Sequence, residues 1–352
     1  MKKRTPILRS IKVFSCLLLL FSFFLVQAQE SEEANDLPLV RLISTGGTIG
    51  GPFEALLEAI PDLSDYAIVE GEQFASTGSS NITISMLLDL AARIDEIFET
   101  EPDVEAILVS QGTDTLEETA YFLNLVVKSD KPVVMVAAMR GRTHISADGP
   151  QNLFMAVLTA IAPETRGKGV VAVINDEIHA ARDLTKTTTY SMDTFVSRDV
   201  GVLGLIRDTR GPFYYRMPLR LHTTDTEFDV SGLEELPRVD IIYAYVDADD
   251  TQIRAAVEAG AQGIVVATVG AGNMPTPGMS DPLEEVWLEH GVVVVRSSRT
   301  GGGRINASEE NNLERGWVGG DNLNPQKARM LLMLALTVTD DPAEIQEIFN
   351  RY

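Results

Sequence analysis

A threonine in a glycine-rich turn, Thr48, is the residue of this chain best placed to do chemistry. It follows an apolar run, residues 39–43, which the pattern predicts to be a buried strand, and Gly46 and Gly47 stand just before it. Glycine permits a tight turn and a close approach of the backbone to a ligand. Thr48 would then be exposed at the carboxyl edge of a sheet, where open α/β sheets bind ligands. The turn is interpreted either as the site of a nucleophile or as a structural turn or phosphate cradle.

A second threonine, Thr113, has a similar setting. A predicted strand, residues 106–110, runs into a turn that holds Thr113 and Asp114, and a helix with acidic residues in its first turn follows. Both side chains would reach the same edge of the sheet as Thr48. An N-cap role for Asp114 or Thr115 is the simpler interpretation when this turn is taken alone.

A threonine hydroxyl is a weak nucleophile until a base takes its proton, and the base that this sequence suggests is a lysine. Lys186 is our candidate because it lies in a polar loop after a strand of the same domain, although spacing does not set it above the other lysines. Burial and neighbouring charge can hold a lysine neutral. A third polar turn holds Ser79 and Ser80 after a short strand from Gln73, and it either faces the same cleft or is an ordinary loop.

Other chemistries lack their sequence patterns. The four histidines are scattered without a neighbouring histidine or cysteine, so we expect no metal site and no cofactor. The absence of a G-x-S-x-G elbow argues against a serine hydrolase, and the absence of G-x-G-x-x-G and Walker patterns argues against a nucleotide-binding protein. The histidines are His144, His179, His222 and His290.

The first 28 residues have the pattern of a secretory signal peptide. Basic residues precede an apolar run, residues 13–26, and Val26-Gln-Ala28 is a small-residue cleavage motif. We predict cleavage after Ala28 and a periplasmic protein, with a retained membrane anchor as the alternative. The single cysteine, Cys16, lies in this segment, so the mature chain is expected to have neither disulfides nor thiolate chemistry.

The chain of 352 residues is strongly acidic, with a formal net charge of −22. Several of its basic residues lie in the predicted signal peptide, so the mature protein is more acidic still. Such a surface repels nucleic acids and anionic membranes, and we expect neither as a partner of the mature form. A small-molecule substrate is the expected partner.

Beyond residue 38, apolar strand-like runs alternate with amphipathic helical windows, which predicts βαβ units and a mostly parallel sheet. We predict an α/β fold with a larger, doubly wound N-terminal catalytic domain over residues 29–215 and a smaller C-terminal α/β domain over 238–352. The polar segment 216–237 would connect them. The predicted strands are 39–43, 106–110, 132–136, 170–174, 241–245, 263–268 and 292–297. The predicted helices are 84–98, 116–127, 148–161, 251–259, 281–289, 325–336 and 342–350, the last one capped by Asp341.

The order of its motifs makes the chain resemble the bacterial type II L-asparaginases, which are exported homotetrameric amidohydrolases that cleave asparagine and often glutamine. The likeness runs from about Leu39 to Tyr352 and rests on several motifs in both domains. These motifs are Thr45-Gly-Gly-Thr-Ile49, Gly112-Thr-Asp-Thr115, Glu117-Glu-Thr-Ala-Tyr121, Lys131-Pro-Val-Val-Met-Val136, Ala138-Met-Arg140, Ser146-Ala-Asp-Gly-Pro150, Arg296-Ser-Ser-Arg299 and Leu323-Asn-Pro-Gln-Lys-Ala-Arg329.

The resemblance implies a threonine acyl-enzyme mechanism. Thr48 matches the nucleophile that attacks the side-chain amide carbon and releases ammonia. Thr113, Asp114 and Lys186 match a second triad, in which Lys186 acts as base toward Thr113 while Asp114 orients it and binds the α-ammonium of the substrate. Ser79 matches the serine that contacts the α-carboxylate of the substrate.

The resemblance also implies that a neighbouring subunit completes each site in a homotetramer. Asn273 and Glu309 match the residues that the neighbour contributes. Ser80 follows the substrate-contacting serine, at a position where the family usually has glutamine.

Two departures from the family concern the surroundings of the nucleophile. The long lid that carries a catalytic tyrosine is shortened here, because the chain passes from Gly51 through Pro52-Phe-Glu-Ala55 to Pro61, and Tyr66 falls in a different segment. The family's histidine before Gly112 is Gln111. A family member with low or altered amidase activity and a two-lobed periplasmic amino-acid-binding protein are therefore the alternatives to an active asparaginase.

Overall fold

A large, mostly parallel sheet and a small parallel sheet form the framework of the chain in a computed structural model that describes residues 37–47, 49, 57–305 and 310–352. The described residues from Pro38 onward belong to one compact unit. The predicted signal peptide, Thr48 and Glu309 lie outside the described residues. Among the residues that are described, no helix has the length and apolarity needed to cross a membrane.

The large sheet has eight strands. They are β1 (Leu39–Ser44), β2 (Ile68–Gln73), β3 (Val104–Ser110), β4 (Val133–Val136), β5 (Val170–Ile174), β6 (Glu177–Ala180), β9 (Gly204–Leu205) and β10 (Phe213–Tyr214). A separate two-stranded ribbon consists of β7 (Thr185–Lys186) and β8 (Phe195–Val196). The order across the large sheet is β2-β1-β3-β4-β5-β6-β9-β10, with the first five strands parallel and the last three added in antiparallel fashion.

Helices cover both faces of the parallel part of this sheet. The helices α1 (Ile84–Thr100) and α2 (Leu116–Val126) pack on one face, and α3 (Gly149–Ile161) packs on the other. Successive residues of a strand point to opposite faces, so Leu42 joins the core under α3 while Ile43 joins the core under α1 and α2. This two-sided burial explains why β3 to β5 are nearly continuous runs of aliphatic residues.

The small sheet consists of four parallel strands in sequence order. They are β11 (Val239–Tyr243), β12 (Gly263–Thr268), β13 (Val293–Ser298) and β14 (Trp317–Gly319). Its helices are α4 (Thr251–Glu258), α5 (Asp281–His290), α6 (Glu310–Glu314), α7 (Pro325–Ala335) and α8 (Pro342–Arg351). The helices α4 and α5 cover one face, whereas α7 packs against α2, so that the two sheets share one apolar core.

The α/β fold class is confirmed, with a large, mostly parallel sheet followed by a smaller one. The predicted strands and helices agree with the observed ones to within two residues. Asp341 caps the last helix as expected, because its carboxylate accepts the N–H groups of Ala343 and Glu344. The prediction of a strand that begins at Gln73 was wrong, since β2 ends at that residue. The strand β2 lies at the edge of the sheet and is only partly buried, so its sequence contains no clear apolar run that would have predicted it.

Candidate active site

The order of the parallel strands creates a topological switch point between β1 and β3. Chain order reverses there, since β2 lies on one side of β1 and β3 on the other, and open α/β sheets bind ligands outside the carboxyl ends of strands at such a switch point. Ser44 pairs with Ser110 in the register of the two strands, so the turns that follow them begin at the same level. The N–H and the hydroxyl of Thr45 both donate to the carbonyl of Ser110, at 3.0 and 3.1 Å.

The two turns touch through their backbones, which requires glycine. Gly47 has a φ of +85°, and a Cβ atom added to it would lie 2.4 Å from the Cα of Gly112. A Cβ atom on Gly112 would in turn lie 2.7 Å from the Oγ of Ser79. Side chains at these two positions would therefore push apart the turns that follow β1 and β3.

The third polar turn contacts the turn that follows β3. Ser79 is buried, its Oγ accepts the backbone N–H of Asp114 at 3.1 Å, and its carbonyl accepts the hydroxyl of Thr115 at 2.7 Å. Ser80 is exposed beside it. Thr115 occupies the N-cap position of α2, as one interpretation predicted, but its hydroxyl donates to Ser79 and makes no capping bond. The N-cap interpretation was wrong for Asp114, whose carboxylate accepts a hydrogen bond from Lys186.

Lys186 connects the residues of the second triad. Its Nζ donates to the Oγ1 of Thr113 at 2.9 Å and to the Oδ1 of Asp114 at 2.7 Å. Its side chain is 18% exposed, whereas that of Asp114 is 65% exposed. We call Thr113, Asp114 and Lys186 the lysine triad. The expectation of a loop at Lys186 was wrong, because the residue lies on β7 and pairs with Phe195.

A buried carboxylate holds the loop after β4, next to this edge of the sheet. Asp148 accepts the N–H groups of Met139 and Arg140, each at 2.8 Å, and the Nδ2 of Asn152 at 3.1 Å. Two of the sequence motifs, 138–140 and 146–150, are joined by these bonds, which give them a structural role.

Two residues that the sequence did not single out lie directly behind the lysine triad. Glu117 is buried and accepts the backbone N–H of Lys186, and Lys327 is buried and donates to carbonyls of the segment that leads to Lys186. Both belong to the sequence motifs named above. Charged residues near the start of amphipathic helices are usually solvated, so only their buried positions in the fold reveal them.

The lysine triad does not include the residues expected from a neighbouring subunit. Asn273 is exposed, and its backbone pairs with Val269 in the C-terminal part of the chain. No hydrogen bond between the described residues joins Asn273 to the lysine triad. Across the described ranges, no three His, Cys, Asp or Glu side chains are grouped as a metal site requires.

Two family models match successive parts of the chain. Residues 39–219 match the model described as Asparaginase, N-terminal, and residues 238–349 match the Glutaminase/Asparaginase C-terminal domain. The 18 residues between them lie within the predicted connector.

Relatives of known name are similar over nearly the whole chain. L-asparaginase 2 of Bacillus subtilis is 48% identical, over 93% of this chain and 90% of that protein. A glutaminase-asparaginase of Pseudomonas fluorescens is 40% identical, over 96% of each chain. A crystal structure described as a probable cytoplasmic L-asparaginase from Campylobacter jejuni superposes with a TM-score of 0.84 at 44% identity, covering 90% of this chain and 100% of that one.

Proposed function

The chain belongs to the asparaginase family, and from this premise we infer that it is an enzyme that hydrolyses the side-chain amide of L-asparagine to aspartate and ammonia. The contact of Lys186 with Thr113 and Asp114 at the sheet's switch point is the structural observation that carries the inference. A protein that only bound amino acids or nucleotides would not need this set of groups.

The proposed reaction proceeds in two steps. The hydroxyl of Thr48 attacks the amide carbon, and the tetrahedral intermediate collapses to an ester of Thr48 with release of ammonia, which takes up the hydroxyl proton. Water then hydrolyses the ester, giving aspartate and restoring the threonine. Backbone N–H groups of the turns that bear Thr48 and Thr113 are the proposed donors to the oxyanion of each intermediate.

In this proposal Lys186 acts as base toward Thr113. The distance of 2.9 Å between Nζ and Oγ1 is short enough for direct proton transfer. Asp114 orients Lys186 through its Oδ1 atom. Because this carboxylate is largely exposed, its other oxygen is accessible to the α-ammonium group of the substrate.

Ser79 and Ser80 are the proposed ligands of the substrate's α-carboxylate. The Oγ of Ser79 accepts the N–H of Asp114, which leaves its own hydroxyl proton to donate to a carboxylate oxygen. Ser80 is exposed on the same turn. Substrate carboxylate and ammonium would thus be bound by adjacent turns.

An ammonia-release assay on the mature protein tests the proposal. We expect turnover of L-asparagine, and a fall of roughly a thousandfold or more in Thr48→Ala. Thr100→Ala is the matched control, because the exposed Thr100 lies at the other end of α1, where its hydroxyl donates to the carbonyl of Glu96, and its loss should affect stability alone. Full activity in Thr48→Ala would contradict the assignment of the nucleophile.

Glutamine is the second candidate substrate, because one of the relatives is named a glutaminase-asparaginase. The same assay with L-glutamine, the D-isomers and an asparagine-containing dipeptide measures this preference. Turnover of L-asparagine alone would exclude glutaminase activity.

We propose a homotetramer in which Asn273 and Glu309 complete the site of a neighbouring subunit. The exposure of Asn273, and the lack of a hydrogen bond between it and the lysine triad among the described residues, support this arrangement. The test is to mix and reassemble two inactive variants, Thr48→Ala and Asn273→Ala. Sites completed by a neighbour regain activity in the hybrid, whereas sites completed within one chain remain inactive.

We also propose that the enzyme is exported and that residues 1–28 are removed. The support is the basic, apolar and small-residue pattern of this segment, although the Campylobacter relative is described as cytoplasmic. N-terminal sequencing of the protein from a periplasmic extract should begin at Gln29. An unprocessed chain that stays with the cytoplasm would contradict export.

A further inference from the structure

We propose that Glu117 and Lys327 are positioning residues that hold Lys186 at its contact with Thr113. The inference rests on the proposed function, in which Lys186 is the base. It adds two groups that touch neither the substrate nor the reacting atoms and that act through the backbone of the segment 182–186.

The strand that carries Lys186 has little support from the sheets. The ribbon β7–β8 has two residues in each strand and belongs to neither the large sheet nor the small one. Lysine also has a long side chain with several rotatable bonds. A fixed distance from Nζ to Thr113 therefore requires that the backbone of Lys186 be held by other groups.

Glu117 supplies the first support. It lies in the first turn of α2, close in sequence to the turn of Thr113 and Asp114, and only 4% of the residue is exposed. Its Oε2 accepts the backbone N–H of Lys186 at 3.1 Å. The hydroxyl of Thr113 and the backbone of Lys186 are thus both fixed relative to the same helix end.

The start of α7 supplies the other supports. The Oε1 of Glu117 accepts the Nδ2 of Asn324, at 3.2 Å, and the Nε2 of Gln326. Asn324 also caps α7 by accepting the N–H of Lys327 at 3.1 Å, and its Nδ2 lies 3.3 Å from the Oγ1 of Thr185. The C-terminal part of the chain therefore reaches β7 directly.

Lys327 holds the segment that leads into β7. It is 2% exposed, and its Nζ donates to the carbonyls of Arg182 and Leu184 at 2.6 and 2.5 Å. Burial lowers the pKa of this lysine to about 8, with the nearby carboxylates of Glu117 and Asp183 opposing the shift and the Arg182 guanidinium adding to it. A buried amine is energetically unfavourable, and an apolar side chain of similar length would avoid that penalty. Its two acceptors lie just before Lys186 in the chain, so we infer that the buried amine is kept because it holds the backbone that leads to Lys186.

The test compares kcat and KM for L-asparagine in the full mature enzyme and in Lys327→Met and Glu117→Gln. We expect kcat to fall about 10- to 100-fold in each, since a displacement of about 1 Å at a reacting group has an effect of this size. KM should change by less than about threefold, because neither residue touches the substrate. All three partners of Glu117 donate hydrogen bonds to its carboxylate. In Glu117→Gln the amide NH2 group replaces one acceptor oxygen, so at least one of these hydrogen bonds is lost.

Lys128→Met is the matched control. Lys128 likewise donates to a backbone carbonyl, that of Thr226 at 3.0 Å, but it lies beyond the other end of α2 and outside the proposed site. Its kcat should stay at the wild-type value. Thermal melts of all variants establish that each is folded, and Glu117→Gln decides the question if Lys327→Met does not fold.

A double variant separates positioning from a general structural effect. If Lys327 acts through Lys186, then Lys186→Met with Lys327→Met is no slower than Lys186→Met alone. Additive losses would overturn the proposal, as would wild-type kcat in folded Lys327→Met and Glu117→Gln beside a Lys186→Met whose kcat is strongly reduced. An active Lys186→Met would instead contradict the proposed base, and positioning with it.

Discussion

Lys327 gives this protein a predicted dependence of stability on pH. Its pKa is lowered to about 8 in the folded chain, chiefly by burial, whereas an unfolded lysine titrates near its ordinary value of 10.5. Between these two values the unfolded chain binds more protons, so this group makes the free energy of unfolding rise with pH. Below pH 8 the folded state carries the full penalty of a buried charge.

Lys327→Met should remove this dependence. Relative to the variant, the wild-type protein is expected to gain about 2 kcal/mol of stability between pH 7 and 9.5, since one pKa unit corresponds to about 1.4 kcal/mol. Urea denaturation of both proteins at several pH values measures the difference. If the free energies of unfolding of the two proteins change equally with pH over this range, then the pKa of Lys327 is not lowered as its burial requires.

Gly47 is predicted to be required for activity for two reasons, its positive φ and its close backbone contact with Gly112. Gly47→Ala would force a Cβ atom to 2.4 Å from the Cα of Gly112 and separate the turns of the active site, so we expect at least a tenfold loss of asparagine turnover. Gly211→Ala is the control, because Gly211 has a similar φ of +95° with nothing within 4 Å of the added atom. Backbone strain alone, about 1 kcal/mol, should lower its stability without loss of activity. If Gly47→Ala and Gly211→Ala change asparagine turnover and melting temperature by the same amounts, then the contact between Gly47 and Gly112 is unimportant.

Individual residues of the site differ in how well the sequence predicts them. Thr113 and Asp114 follow a long buried strand, so their position at the sheet edge can be deduced from apolar periodicity. Lys186 cannot be found in this way, because its partners are more than 70 positions away along the chain. The same holds for Glu117 and Lys327, whose burial depends on the packing of α2 against α7.

The parallel strands and their helices were predictable as elements because each buries a long apolar run. Strands such as β9 and β10 were missed, since two residues are too short to show a period and their pairing is antiparallel and distant. The ribbon that carries Lys186 belongs to this class. The element that was hardest to predict is therefore the one that completes the lysine triad.

The shortened connection after Gly51 predicts an altered substrate range. A lid excludes water and completes the set of groups around the nucleophile, so its loss should reduce turnover of free asparagine compared with lid-bearing family members. Without a long lid, the site should also admit larger substrates, such as a peptide-terminal asparagine. Measurements of kcat/KM for asparagine and for an asparagine-containing dipeptide test both expectations.

A chimaera with a family-length lid between Gly51 and Pro61 is the matched comparison for this element. It should gain activity on free asparagine and lose activity on the dipeptide. Asparagine turnover already equal to that of lid-bearing relatives, together with no dipeptide cleavage, would show that the connection does not limit the enzyme.

At the scale of the whole molecule, one buried carboxylate joins three parts of the chain. Asp321 is 8% exposed, and its Oδ2 accepts the guanidinium groups of Arg182 at 3.1 Å and Arg220 at 2.6 Å. Its Oδ1 accepts Arg304. Arg182 follows the large sheet, Arg220 lies in the connector, and Arg304 belongs to the C-terminal part. Asp321 therefore ties the connector and both sheets together.

Asp321→Asn should weaken this joint. Asparagine tolerates the positive φ of 52° at this position, but it removes the nearer carboxylate partner of the buried Arg182 guanidinium, leaving it with Asp183 at 3.7 Å, so we expect a loss of about 2 kcal/mol. Asp208→Asn is the control, since Asp208 forms an exposed pair with Arg210 and its replacement should leave the urea midpoint unchanged.

The manner of unfolding should change along with the midpoint. Both tryptophans, Trp287 and Trp317, lie with the small sheet, so their fluorescence reports on that part, whereas circular dichroism reports on the whole chain. We expect the two urea transitions to coincide in the wild-type protein, because the sheets share a core. In Asp321→Asn the fluorescence transition should precede the other. Coincident transitions at an unshifted midpoint would mean that the shared apolar core alone couples the two sheets, and that the ion cluster adds nothing to their cooperativity.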